Sequence, residues 1–264
     1  MANKIRDLVP AVTRAIQLLD VLASSRQPMK QAELTTLLNI PKSSVHGLCS
    51  SLIAGGLIER RDGVVYVIGP KVIDLANARL GQNDLSQEFL RIWSEHPEFS
   101  DEAAVISELD GTDVVYLACR NSRQALGVTF RVGMKLPAAF AGTGKAILGA
   151  LSDKEIDRLY SHKRPLTPLT SRGVKSLTAL RNQLAEVRKN GYAIDNGEIR
   201  DEMVSISAPI LAKSTTLQLV PVAGVAVVFF RSQLTDRRKN QAIAAIVEVA
   251  ETLSLKAGSM SLHR

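Results

Sequence analysis

Ile40-Pro41-Lys42-Ser43-Ser44-Val45-His46-Gly47-Leu48-Cys49 opens the element around which Pro28 to Gly69 is organised. Pro41 pushes Ile40 out of helical geometry, and Gly55-Gly56 marks a stop, so the spacing predicts a helix from about Lys42 to Ala54. Val45, Leu48, Leu52 and Ile53 would form its buried stripe, leaving Lys42, Ser43, Ser44, His46 and Ser50 on a short, polar face. Before it, Lys30 to Leu38 carries a second helical pattern on Ala32, Leu34, Leu37 and Leu38. Asn39, which tolerates a left-handed backbone, ends that helix. After it, Leu57 to Arg61 and Val64 to Ile68 read as strands, and Asp62-Gly63 between them is a strong two-residue hairpin signal. Further upstream, Pro10 suits a first helical turn. Val12, Ile16, Leu19 and Leu22, with Ala15 and Ala23, then share one helical face.

Three short helices and a basic hairpin, residues 10–70, make a winged helix-turn-helix. A helix fits the major groove and its first residues reach base edges. Small side chains there allow close approach, and free N–H groups at a helix start bind phosphate. Lys42, Ser43, Ser44 and His46 are the candidates for the groove, with Arg60 and Arg61 for neighbouring phosphates. The same pattern also serves protein-only contact, so pattern alone leaves that alternative open.

Lys71 to Leu80 is helical, with Val72, Ile73, Leu75, Ala76 and Leu80 apolar. Residues 71–83 form a linker helix that packs either against a second copy or back on its own domain. Residues 84–258 mix strands and helices. Strands are expected at Ala103 to Ile106, Val114 to Leu117, Leu126 to Phe130, Tyr192 to Asp195, Ser205 to Ile210 and Ala223 to Phe230. Helices are expected over Leu85 to Trp93 and Lys145 to Leu151, after the capping box Ser152-Asp153-Lys154-Glu155, after Ser176 and after Thr235. This is an α+β domain around one antiparallel sheet flanked by helices.

Of 264 residues, 45% are hydrophobic and 22% charged, which fits a globular chain with a real core. The net charge of +7 and pI near 9.5 favour a polyanionic partner, nucleic acid first. No apolar run approaches the roughly 20 residues of a membrane span, and no secretory signal opens the chain. Cys49 and Cys119 make no disulfide framework, so a reducing cytoplasm is the expected location.

Gly142-Thr143-Gly144-Lys145 invites a phosphate-loop reading, but Ala139 and Ala146 stand where that motif needs Gly and Ser or Thr. A glycine turn opening a helix serves either carboxylate binding or close helix–sheet packing. His46, His96, His162 and His263 lack metal spacing, there is no nucleophile elbow, and Cys119 reads as a core residue. Asp195, Glu198, Asp201 and Glu202 form an acidic cluster read as a solvated or ligand-binding loop. No cofactor is called for, and an enzyme has no positive support.

The chain resembles the IclR family of bacterial transcriptional regulators over nearly its whole length. The resemblance rests on Pro10-Ala11-Val12-Thr13-Arg14-Ala15, Ile40 to His46 and Tyr66-Val67-Ile68-Gly69-Pro70. It continues in Val132 to Pro137, Gly142 to Leu148 and Val187 to Ala193. The likeness implies a GAF-like effector-binding domain after the winged helix and linker. It also implies assembly as dimers or dimers of dimers, double-stranded operator DNA and a small organic-acid effector as partners, and repression of a catabolic operon. The effector residues it implies are Gly142, Thr143, Asp195, Ser205, Ala226 and Val228.

Two departures from the family pattern stand out. Ala226 and Val228 occupy positions where relatives usually carry Ser, so that wall is expected to lack polar donors. An effector with one polar end and an apolar part is then expected, because unpaired polar groups cost ~1–3 kcal/mol each. Gly47 stands where the family most often has Arg, removing one expected phosphate contact. The rival readings are a hydrolase-like enzyme fused to a helix-turn-helix and a protein–protein adaptor.

Overall fold

The computed structural model describes residues 9–25, 27–81, 84–124, 127–160, 166–214 and 218–260. Leu126, His162, Pro165, His263 and the Leu80 side chain, all used above, lie outside the described residues. The chain divides into two units between residues 82 and 83, and each is described by itself.

The first unit runs α1 (Pro10–Ser24), β1 (Met29–Lys30), α2 (Gln31–Leu38), α3 (Lys42–Ala54), β2 (Ile58–Arg61), β3 (Val65–Ile68) and α4 (Lys71–Gly81). Asn39 is left-handed, at φ 51°, and turns the chain from α2 into α3. Asp62 and Gly63 both have positive φ, as the hairpin signal requires, yet Arg61 pairs with Val65. The connection is therefore one residue longer than expected. Leu18, Leu22, Leu34, Val45, Cys49, Leu52, Ile58 and Tyr66 form one core under the three-stranded sheet.

Two expectations about faces fail here. Ile53 is 39% exposed, and Cys49 takes its place in the buried stripe of α3. On α1 the buried positions are Leu18 and Leu22, with Ala15 and Leu19 packed beside them. Val12 and Ile16 stand out at 56% and 47% exposure. This helix carries two apolar stripes, and only one is covered. On α4, Ile73 and Leu75 are likewise 63% and 54% exposed.

The second unit runs α5 (Asp84–Trp93), a 3-10 turn, β4 (Ala103–Asp110), β5 (Asp113–Arg120), β6 (Lys135–Pro137), α6 (Gly142–Gly149), α7 (Asp153–Leu159) and α8 (Leu177–Asn190). It continues with β7 (Ala193–Asn196), β8 (Met203–Lys213), β9 (Leu219–Phe230), a second 3-10 turn and α9 (Asp236–Met260). One antiparallel sheet of six strands has the order β6-β5-β4-β9-β8-β7. Leu126 to Phe130 was expected as a strand, but its described residues, 127–130, form none. Instead the Phe130 N–H donates to Asn121 Oδ1 and the Asn121 Nδ2 donates back to the Phe130 carbonyl. The edge strand is β6, which pairs with β5 further along.

Side chains alternate across this sheet with period two. Ala104, Ile106, Ile206, Ala208, Val225, Val227 and Phe229 face a core with Phe89 and Trp93 of α5 and Ile246, Val249 and Leu253 of α9. Val105, Ala226 and Val228 face the opposite side, against α6 and α8. Two caps hold helix starts on this side. Ser152 accepts from the Glu155 N–H, and Ser176 from the Ala179 N–H.

Candidate functional site

In the first unit, α3 begins at Lys42 after Pro41, which offers no side-chain cap. Lys42, Ser43 and His46 are exposed and Ser44 is half-buried, so one polar surface opens the helix. A Cβ on Gly47 would meet nothing within 4 Å, so a side chain there projects into open space. Arg60 and Arg61 are both exposed on β2. The Arg60 guanidinium lies 6.0 Å from the centre of the Tyr66 ring. Arg61 sits loosely against Glu59 at 4.0 Å. Neighbouring residues in a strand point to opposite faces, so the two wing arginines do not share one surface.

In the second unit a cavity of about 480 Å³ opens on the α6 side of the sheet. Gly142, Thr143, Asp195, Ser205, Ala226 and Val228 all line it. Register explains the assembly. Asp195 pairs with Ser205, Ser205 with Val228 and Val228 with Ala103, forming one row across four strands. The next row on the same face runs Ala193, Ser207, Ala226 and Val105. The wall at Ala226 and Val228 is apolar, as expected, but the partner strand β8 sets Ser207 and Ser205 directly opposite them. The hydroxyls lie one strand over instead of being lost.

The glycine turn is the first turn of α6 itself, which starts at Gly142 and not near Lys145. Ala141 provides no side-chain cap, and the N–H groups of Gly142, Thr143 and Gly144 make no backbone hydrogen bond among the described residues. All three residues are buried. Uncapped N–H groups lining a cavity favour an anion. Of the two alternatives for this turn, the close packing is seen directly. A Cβ on Gly142 would collide with the Ser205 and Ser207 hydroxyls, and one on Gly144 with the backbone of Ala138. The Ser107 hydroxyl donates to Thr143 Oγ1 at 2.8 Å and fixes that side chain.

Lys145, 1% exposed, accounts for the phosphate-loop resemblance. Its ammonium pairs with Glu198 and donates to the Ile194 carbonyl at 3.3 Å. Glu198 also accepts from Gln183 Nε2, and its own N–H donates to Asp195 Oδ1 at 2.6 Å. The acidic cluster is thus split: Asp195 and Glu198 are buried, while Asp201 and Glu202 are exposed. Burial pushes the Asp195 carboxyl up to about 6, against the pull of its backbone bond and of Lys145.

Tyr116 and Arg200 also line the cavity and were missed in the sequence. Tyr116 stands edge-on to Phe130 at 5.2 Å, and burial raises its phenol above the ordinary value. Nothing local marks either residue, because the cavity draws on strands and loops far apart in sequence.

Residues 78–255 match the family described as bacterial transcriptional regulator IclR C-terminal, and residues 11–62 match the IclR helix-turn-helix domain. The transcriptional repressor IclR of Escherichia coli is 25% identical over 96% of this chain and 91% of its own length. The repressor BlcR of Agrobacterium tumefaciens is 36% identical in its crystal structure, covering 96% of this chain and 98% of its own at a TM-score of 0.60. An IclR homologue from Microbacterium hydrocarbonoxydans, crystallised with 4-hydroxybenzoate, shares the fold at a TM-score of 0.79 and 20% identity, over 93% of this chain and 98% of its own. With both domains matched, and with regulators rather than enzymes as its relatives, the chain belongs to the IclR family of DNA-binding transcriptional regulators.

Proposed function

We propose that this chain represses a catabolic operon and that an organic acid with an apolar part, bound in the 480 Å³ cavity, alters its affinity for operator DNA. The cavity carries the reading. Uncapped, buried N–H groups at the start of α6 suit a carboxylate, while Val105, Ala226 and Val228 suit an apolar body. The 4-hydroxybenzoate held by the Microbacterium homologue is an acid of that kind. Thermodynamic linkage then requires the acid and the operator to change each other's affinity by the same factor. In the first unit Lys42, Ser43, Ser44 and His46 enter the major groove, and Arg60 and Arg61 hold phosphates. The uncovered stripe Val12–Ile16 on α1 and the exposed Ile73 and Leu75 on α4 suit pairing with a second copy in the cytoplasm.

A gel-shift titration against the DNA upstream of its own gene tests the reading. Sequence-specific retardation that an organic acid shifts is the expected result, and no specific retardation at moderate salt rejects it. Arg60→Ala or Arg61→Ala weakens binding to every sequence and lowers the salt slope by about 1 for each phosphate no longer neutralised. Ser44→Ala or His46→Ala changes base preference instead. Tight response to glyoxylate or pyruvate, with none to larger apolar acids, rejects the effector class.

A further inference from the structure

The cavity has an inner and an outer end, defined by burial. Thr143, Asp195 and Ser205 are 2%, 4% and 7% exposed, whereas Arg200 is exposed and therefore stands at the mouth. Arg200 is the one cation among the described lining residues. Its backbone is fixed, since the Met203 N–H donates to its carbonyl at 2.9 Å. Its side chain makes no hydrogen bond or ion pair with any described residue, although it lies beside an acidic cluster.

Three of those four acids are engaged elsewhere. Glu198 is held by Lys145, Asp201 by Arg172 at 3.4 Å, and Asp195 accepts the Glu198 N–H. Arg238, by comparison, is tied to Glu102 at 2.6 Å, and Arg188 to Asp153 at 2.8 Å. The lining also includes Val105, Val128, Leu136, Ala226 and Val228, which cannot hold a charge. An uncapped helix start, an exposed cation and apolar walls in one cavity suit a ligand charged at both ends.

We propose that Arg200 is a specificity-determining residue that binds a second carboxylate at the cavity mouth, so that the effector is a dicarboxylate with an apolar middle. This deepens, and rests on, the organic-acid reading of the same cavity. The inner carboxylate meets the α6 N–H groups. The outer one meets a planar guanidinium able to grip both its oxygens.

Isothermal titration calorimetry with matched pairs tests this: hexanoate against adipate, octanoate against suberate, benzoate against terephthalate. In the unaltered protein at least one diacid binds about tenfold tighter than its monoacid. Arg200→Gln removes that preference while leaving the monoacid affinity in place, and Arg200→Lys restores part of it. Unfolding curves followed through Trp93 establish that both variants fold. A preferred diacid whose advantage survives in Arg200→Gln overturns the role of Arg200. Monoacids that bind as tightly as their diacids overturn the dicarboxylate inference but leave the organic-acid reading standing. No binding by any member of the three pairs overturns both.

Discussion

Helices α3 and α6 begin in the same way and in opposite surroundings. Each starts after a residue that cannot cap it, Pro41 in one case and Ala141 in the other. Each therefore offers uncapped N–H groups. At α3 these groups open on solvent beside exposed Lys42, Ser43 and His46. At α6 they are buried, with Asp195 lining the same cavity and Lys145 neutralised beneath by Glu198. An exposed start among loose cations suits a long polyanion, whose charge is screened and whose contacts trade off with salt. A buried start suits a small acid that must bring its own counter-charge or find one at the rim. Burial, more than the N-terminal geometry itself, separates the kinds of anion that the two helix starts suit.

The largest expected effect comes from breaking the buried side of this comparison. Lys145→Met leaves Glu198 buried and unpaired, and destabilises the second unit by about 3–5 kcal/mol. Trp93, the single tryptophan and buried beside α9, reports the loss in a denaturant titration. Replacing Glu198 with Met as well recovers much of it, because no orphaned charge remains. A single variant as stable as the unaltered protein would show that Glu198 is not left as an orphaned buried charge.

Asp195→Asn gives the next effect. Its folded carboxyl titrates near 6 instead of its ordinary 3.8, so ionisation is penalised by folding. The penalty is absent below about pH 4, grows as the pH rises through the window up to 6, and is complete above it. Removing the charge stabilises the protein by at most about 3 kcal/mol above pH 6 and by little at pH 4. The difference between variant and unaltered unfolding free energies, followed across that window, checks the sign. A pH-independent difference would place the effect elsewhere.

Legibility in the sequence follows the same division. The bounds of α3 were readable because Pro41 and Gly55 punctuate it and its candidate residues are neighbours on one helix. The cavity residues named from family likeness do converge, but Arg200 and Tyr116 could not be found locally. Their place depends on strand register and on the turn between β7 and β8. The face of α1 was misread because Val12–Ile16 and Leu18–Leu22 are both apolar, and spacing alone does not say which a neighbouring helix covers. Residues 127–130 carry strand-like side chains, yet they form no strand, and Asn121 takes up both backbone groups of Phe130.

The smallest expected effect sharpens the exposed side. Gly47→Arg fills open space on α3 without a clash. It removes a helix-interior glycine, stabilising the first unit by up to about 1 kcal/mol. It should also add one phosphate contact, raising the salt slope of DNA binding by about 1. Gel shifts at two or three salt concentrations measure this. An unchanged slope would mean that this face of α3 does not approach the DNA backbone.

The pairing of Ser205 with Val228 and of Ser207 with Ala226 has a consequence for how such a cavity changes over generations. Exchanging the members of one pair moves a hydroxyl to the neighbouring strand, about 5 Å away. The side-chain volume of the wall and the composition of the core stay the same. The sheet would keep its register and the helices their seats, while the ligand meets its hydrogen-bond partner in a new place. A regulator built this way can drift to a different effector by transposition of two side chains, with no intermediate fold to cross.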